Sequence, residues 1–209
     1  MALGKDYELQ DCPIARALEL VGERWTILVI RDCFLGVRRF NDFLAHLDIP
    51  RAVLTNRLDR LVTEGMLKRR EYRPGRDEYL LTDRGLSLWP ILHSLAEWGD
   101  QRAAPRAGRR RLFAHAECGT DLGAAGACPT CGVVPDAGDV EIRPGPGAEL
   151  SLRDDRVTRA LFRPHRILQP LELTTPPFLR SDSRDASRRR ARPHRPAAAA
   201  AGRKGAEHE

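Results

Sequence analysis

His115 and Cys118 bracket two residues, nine residues follow, and Cys128 and Cys131 bracket two more. Such spacing lets both side chains of each half turn toward one point. Three thiolates and an imidazole match a closed tetrahedral zinc site. Gly119 and Gly132 each follow the second ligand of their half, where a tight knuckle needs positive φ. The surrounding segment is poor in large apolar residues, so a metal would supply stability that its core cannot. The gap, rich in Gly and Ala, is short for a zinc ribbon. A Cys128–Cys131 dithiol and a metal-free small β module stay open as alternatives. Cys12 and Cys33 complete an odd set of five cysteines, which suits metal, redox chemistry or plain core better than a disulfide framework. Cys33 lies inside an apolar helix and reads as a small core residue.

A second chemistry resides in the arginines. The net charge of +6 is mostly a tail effect: from Arg180 onward there are nine basic and four acidic residues, against 26 and 25 in the rest. Between Arg51 and Arg76, however, eight basic residues face three acidic ones. A local excess of this kind can meet a phosphate backbone even in a nearly neutral domain.

These residues need elements to position them. Pro13 can open a helix on which Ile14, Ala17, Leu18 and Val21 recur at helical spacing, ended by Gly22. A second helix, about Arg24 to Leu35, is apolar nearly all round and reads as the central core helix. A third spans Arg39 to His46, and Asp48-Ile49-Pro50 is a turn. A fourth runs from about Arg51 to Glu64, with Leu54, Leu58, Leu61 and Val62 inward and Gly65 as its C-cap. Met66–Tyr72 and Glu78–Leu81 read as a hairpin with a basic tip. Thr82 or Asp83 then caps one long helix to about Arg102, carrying Leu86, Trp89, Leu92, Leu95 and Trp98. This order is that of a winged helix-turn-helix, mainly α with a small β-hairpin. In such a fold Arg51, Thr55 and Asn56 on the fourth helix are placed to read bases, at about 1–3 kcal/mol of discrimination per good pair. Arg57, Arg60, Arg38 and Arg39 suit phosphates, and Arg73 and Arg76 on the hairpin tip would reach an adjacent groove or backbone. Two tryptophans on the last helix suggest an interface, and paired half-sites suggest a homodimer formed through helix 83–102.

The same residues carry a family resemblance. Cys12-Pro13-Ile14-Ala15-Arg16-Ala17-Leu18, Gly22-Glu23-Arg24-Trp25-Thr26-Ile27-Leu28, Gly36-Val37-Arg38-Arg39-Phe40-Asn41-Asp42-Phe43, Leu54-Thr55-Asn56-Arg57-Leu58 and Tyr79-Leu80-Leu81-Thr82-Asp83-Arg84-Gly85 occur in order over about the first hundred residues. The chain thereby resembles the HxlR family of bacterial winged-helix regulators. The resemblance implies a dimeric, sequence-specific transcriptional regulator of double-stranded DNA, with its terminal helices at the dimer interface. It also implies a role for Cys12, which matches the position of a cysteine through which some relatives sense oxidants. A thiol at a helix N-terminus is the more reactive for it, although an inert, half-buried cysteine fits the same position.

The expected organisation is therefore a winged helix-turn-helix over 1–104, a small Cys/His module of β-rich, zinc-ribbon-like character over 105–147, a segment without functional reading over 148–179, and a disordered Arg/Ala-rich tail over 180–209. His165 and the C-terminal histidines have no ligand spacing and read as surface residues. The longest apolar stretch is far short of a membrane span, and the polar start has no signal-peptide pattern, so a cytoplasmic location is expected. A winged helix used only for protein contacts, and a thiol redox protein built on Cys128-Pro129-Thr130-Cys131, are the alternatives. No nucleophile–base pair, phosphate loop or paired carboxylate argues for an enzyme.

Overall fold

The computed structural model describes residues 7–173. The disordered tail expected over 180–209 and its histidines lie outside them. The first half is four helices, α1 (Pro13–Val21), α2 (Thr26–Phe34), α3 (Phe40–Leu47) and α4 (Arg51–Thr63), followed by the hairpin β1 (Leu67–Arg73) and β2 (Arg76–Leu81). Proline opens α1, where its missing N–H costs nothing. Asp48 adopts φ 53° at the end of α3, which lets the chain turn within three residues into α4. Val29, Ile30 and Phe34 of α2 are buried against Phe43, Leu54, Leu58 and Leu61, so the nearly all-round apolar helix is indeed the centre of the core. The hairpin turns on Pro74-Gly75 alone, tighter than the five-residue turn expected. Arg39 adds an isolated bridge to Glu78 on its open edge.

The helix expected as one element over 83–102 is two: α5 (Asp83–Leu86) and α6 (Trp89–Ala103). Thr82 caps α5, its hydroxyl accepting from the Gly85 N–H at 3.2 Å. Pro90 sits in the first turn of α6, where it donates no backbone hydrogen bond, so the register breaks at Ser87-Leu88. Trp89 and Leu92 point into the core, Trp89 packing on Phe34 with ring centroids 5.5 Å apart. Only Trp98, with Ile91 and Leu95, stays exposed. No described helix is long and apolar enough to cross a membrane.

Residues 105 onward form an antiparallel sheet of β3 (Arg111–His115), β4 (Val140–Pro144) and β5 (His165–Arg166), in that order across the sheet. The Phe113 ring of β3 stacks edge-on against Trp89 at 5.5 Å, which seats the sheet on α6. The segment for which the sequence offers no role thus completes the sheet through β5. It also contains α7 (Arg156–Ala160) and returns to the winged helix. Asp155 caps α7, accepting from the Val157 and Thr158 N–H groups at 2.9 Å. Arg156 pairs with the buried Asp42 of α3, and Arg153 donates to the Ala45 carbonyl at 3.0 Å. The Leu168 N–H donates to the Phe34 carbonyl (2.7 Å) and the His165 ring to the Leu35 carbonyl (3.2 Å). His165 is therefore a half-buried structural donor and not the surface residue expected.

This strap closes over Gly36, whose φ is +88° and on which a Cβ would stand 1.9 Å from the Gln169 carbonyl oxygen. Gly36→Ala should cost about 3 kcal/mol or more, combining left-handed strain with a backbone clash. In a thermal melt that is roughly 6–12 °C. Gly75→Ala, also at positive φ but with open space around it, should lose only about 1 kcal/mol. Equal losses would mean that the strap does not lie on Gly36.

Candidate nucleic-acid face and metal centre

The outer side of α4 presents Arg51, Ala52, Thr55, Asn56 and Asp59 to solvent. Arg51 lies over the Phe40 ring, 5.1 Å from its centroid, so its guanidinium is held at the start of the helix. The Thr55 hydroxyl donates to the Arg51 carbonyl at 3.1 Å. Arg39 lies over Tyr72 of the hairpin at 4.6 Å. Arg73 and Arg76 oppose one another across the hairpin turn, both exposed.

The other three arginines assigned to phosphates are engaged inside the protein. Arg38 donates to the Leu168 carbonyl at 2.8 Å, and burial holds its guanidinium below the usual value. Arg57 pairs with Glu23 at 3.2 Å with its side chain only 16% exposed. Arg60 donates to the Glu19 carbonyl. Arg57 and Arg60 thus fasten α4 to the end of α1 and the loop after it. On the hairpin, Arg69 pairs with Asp59 and Arg70 with Glu78. The free cationic face narrows to Arg39, Arg51, Arg73 and Arg76, with Thr55 and Asn56 between them. Periodicity had no means of separating these groups, because pairing depends on neighbours distant in sequence. It also missed Asp32, fully buried in α2, which accepts from Arg31 and, at 2.8 Å, from His46.

In the second half, His115, Cys118, Cys128 and Cys131 bring their ligand atoms within 4.8 Å of one another. The two halves are built alike. The Gly119 N–H donates to the His115 carbonyl (2.8 Å) and the Gly132 N–H to the Cys128 carbonyl (2.9 Å). The two glycines have φ of 72° and 69°, the knuckle that their place after each second ligand predicts. Cys118 Sγ lies 3.4 Å from Cys128 Sγ and 3.5 Å from His115 Nδ1. A tetrahedron with metal–sulfur bonds of about 2.3 Å has edges of about 3.8 Å, so the four groups fit one ion despite the short gap. The other His115 nitrogen lies 3.8 Å from the exposed Glu117 carboxylate, beyond hydrogen-bond distance. Hydrogen bonds from Thr120, through its hydroxyl and then its backbone, pull the Cys118 thiol down to about 6. The Cys118 sulfur in turn pushes Cys131 up to about 12. His115 and Cys128 are buried, Cys118 and Cys131 exposed. Away from this cluster, Cys12 is half-buried at the N-cap of α1, and burial pushes the Cys33 thiol well up.

Helix, three-residue turn, helix and hairpin define a winged helix-turn-helix. The HxlR-like helix-turn-helix profile matches residues 20–107. An uncharacterized HTH-type transcriptional regulator of Mycobacterium tuberculosis is 40% identical over 141 residues, covering 66% of this chain and 89% of that protein. A second, YdeP of Bacillus subtilis, is 31% identical over 105 residues, covering 47% of this chain and 82% of its own length. Among solved structures, the redox regulator HypR in its reduced form is 31% identical with a TM-score of 0.41, covering 43% of this chain and 92% of that one. The chain belongs to the HxlR-like family of helix-turn-helix transcriptional regulators.

With a divalent metal bound, a thiol reagent at neutral pH should count one fast thiol per chain, the half-buried Cys12. After chelation the count should rise, with exposed Cys118 reacting first and Cys131 more slowly, while buried Cys33 and Cys128 react only on unfolding. A count that ignores the chelator would exclude metal from the cluster.

Proposed function

We propose that the protein binds DNA sequence-specifically as a homodimer, and that the ion held by His115, Cys118, Cys128 and Cys131 is zinc. One observation carries the DNA reading: the outer face of α4 offers Arg51, Thr55 and Asn56 together, flanked by the hairpin arginines Arg73 and Arg76, with no acidic partner for these arginines among the described residues. The N-terminal part of a helix so placed enters the major groove, where Arg reads guanine and Asn reads adenine. Arg39, Arg73 and Arg76 would meet the flanking backbone or groove. The dimer reading is supported by the apolar side chains left in solvent on two helices: Ile14 and Leu18 of α1, and Ile91, Leu95 and Trp98 of α6, the last 58% exposed. Cys12 stands at the start of the helix that carries half of this face, and is the thiol through which an oxidant would be felt. The zinc reading is supported by the donor set, since three thiolates and one imidazole select a borderline-soft ion that accepts tetrahedral geometry.

Arg51→Ala should weaken binding to the cognate site by about 1–3 kcal/mol, roughly 5- to 150-fold, and relax sequence preference. Arg76→Ala should weaken all sequences alike and lower the salt slope by about one. Gel-shift titrations at several salt concentrations separate the two, and wild-type binding by both variants at matched salt would refute these contacts. Trp98→Glu should sediment as a monomer; an intact dimer would place the interface elsewhere.

A further inference from the structure

Between the winged helix and the sheet module lies a cavity of about 490 Å³, well within the size range of small-ligand sites. Phe34 of α2 and Trp89 and Leu92 of α6 form one wall. Phe113 of β3, Ile142 of β4 and Leu161 after α7 form the other. The lining is thus predominantly apolar and aromatic, but three guanidiniums, Arg31, Arg110 and Arg111, also border it. The remaining charged or titratable groups on its lining are Asp100 and His46.

The three arginines differ in how they are satisfied. Arg31 is bound to Asp32 at 2.7 Å. Arg110 donates to the Ala103 carbonyl at 2.7 Å and is exposed. Arg111 is half-buried, donates one N–H to the Leu161 carbonyl at 3.0 Å and lies over the Phe162 ring at 5.2 Å. No described carboxylate pairs with it. Burial, and then the nearby Arg31 charge, holds its guanidinium below the usual value. A desolvated cation with only a carbonyl and a ring for company leaves a deficit that an anion would fill. Pairing Arg31 with Asp32 outside the lining leaves the cavity with more positive than negative charge.

We propose that this cavity binds a small apolar monocarboxylate, its hydrocarbon body packed on the touching Trp89 and Phe113 rings and its carboxylate on Arg111. Because the walls come from both halves of the chain, the ligand would bridge them. Its effect on promoter affinity rests on the DNA-binding reading above, whereas the binding itself does not.

Isothermal titration of the full-length, metal-loaded protein with 1-naphthylacetate and with its neutral amide, 1-naphthylacetamide, tests the assignment. The expected result is saturable binding of the acid at one per chain, with the amide about tenfold weaker or worse, as loss of a charge-assisted pair predicts. Arg111→Gln should erase the preference for acid over amide. Comparison of acid and amide on the unmutated protein keeps the test valid if that variant folds poorly. Equal binding of acid and amide would overturn the proposal. So would no binding of naphthylacetate, benzoate or octanoate up to roughly millimolar concentration, the outcome expected if a second copy of the chain fills the cavity. Gel shifts run alongside separate the two readings: ligand binding without DNA binding leaves the cavity assigned and removes only the regulatory role.

Discussion

The loop from Phe34 to Arg38 is the junction on which the rest of the molecule depends. It leaves the central core helix, enters the first helix of the helix-turn-helix, and is clasped from outside by the strap around Leu168. Backbone groups do most of the holding: the Leu168 N–H on the Phe34 carbonyl and the Leu171 N–H on the Gly36 carbonyl. Arg38 closes the clasp by donating to the Leu168 carbonyl. With the His165 ring on the Leu35 carbonyl, these groups each have a defined partner, so the junction carries few unsatisfied polar atoms. The helix-turn-helix is thereby braced at the loop that leads into α3. Arg156 on the buried Asp42, and Arg153 on the Ala45 carbonyl, extend the bracing along α3.

The second half solves a different problem. Its sheet has three short strands and few large apolar residues, too little to stand alone. Two devices compensate. Phe113 packs against both Trp89 and His93 of α6, ring centroids 5.5 and 5.4 Å away, borrowing core from the winged helix. At the far end the paired knuckles converge four ligands where an ion would tie the β3 end to the loop bearing Cys128. The aromatic stack acts at the middle of β3 and the ligand cluster at its C-terminal end.

Much of the first half was legible because its signals are local. The period of Leu54, Leu58 and Leu61, the Gly65 stop and the three-residue turn at Asp48 each depend on neighbours a few residues away. The ligand cluster was legible for the same reason, since both halves and both glycines lie in short runs. What was not legible is long-range. Arg38, Arg57 and Arg60 look like Arg51 in sequence, yet they bond to residues that arrive from elsewhere in the chain. The break at Ser87-Leu88 was signalled by Pro90, which the apolar period of the surrounding residues outweighed. Residues 148–173 give no strong period, because their order comes from adding a strand to β4 and hydrogen bonds to the loop after α2, and not from a face of their own.

The partners in the clasp stand far apart along the chain: Arg38 and Leu168 are separated by 130 residues. At the pace of protein synthesis, about 5–20 residues per second, roughly 7–26 s pass between the appearance of one and the other. Helices and hairpins form in microseconds. On the ribosome the helix-turn-helix therefore exists first as an unbraced nascent domain, and the knuckle cysteines emerge before the strap is made. A newly made chain passes through a stage with α4 and its exposed side formed and its clasp still open.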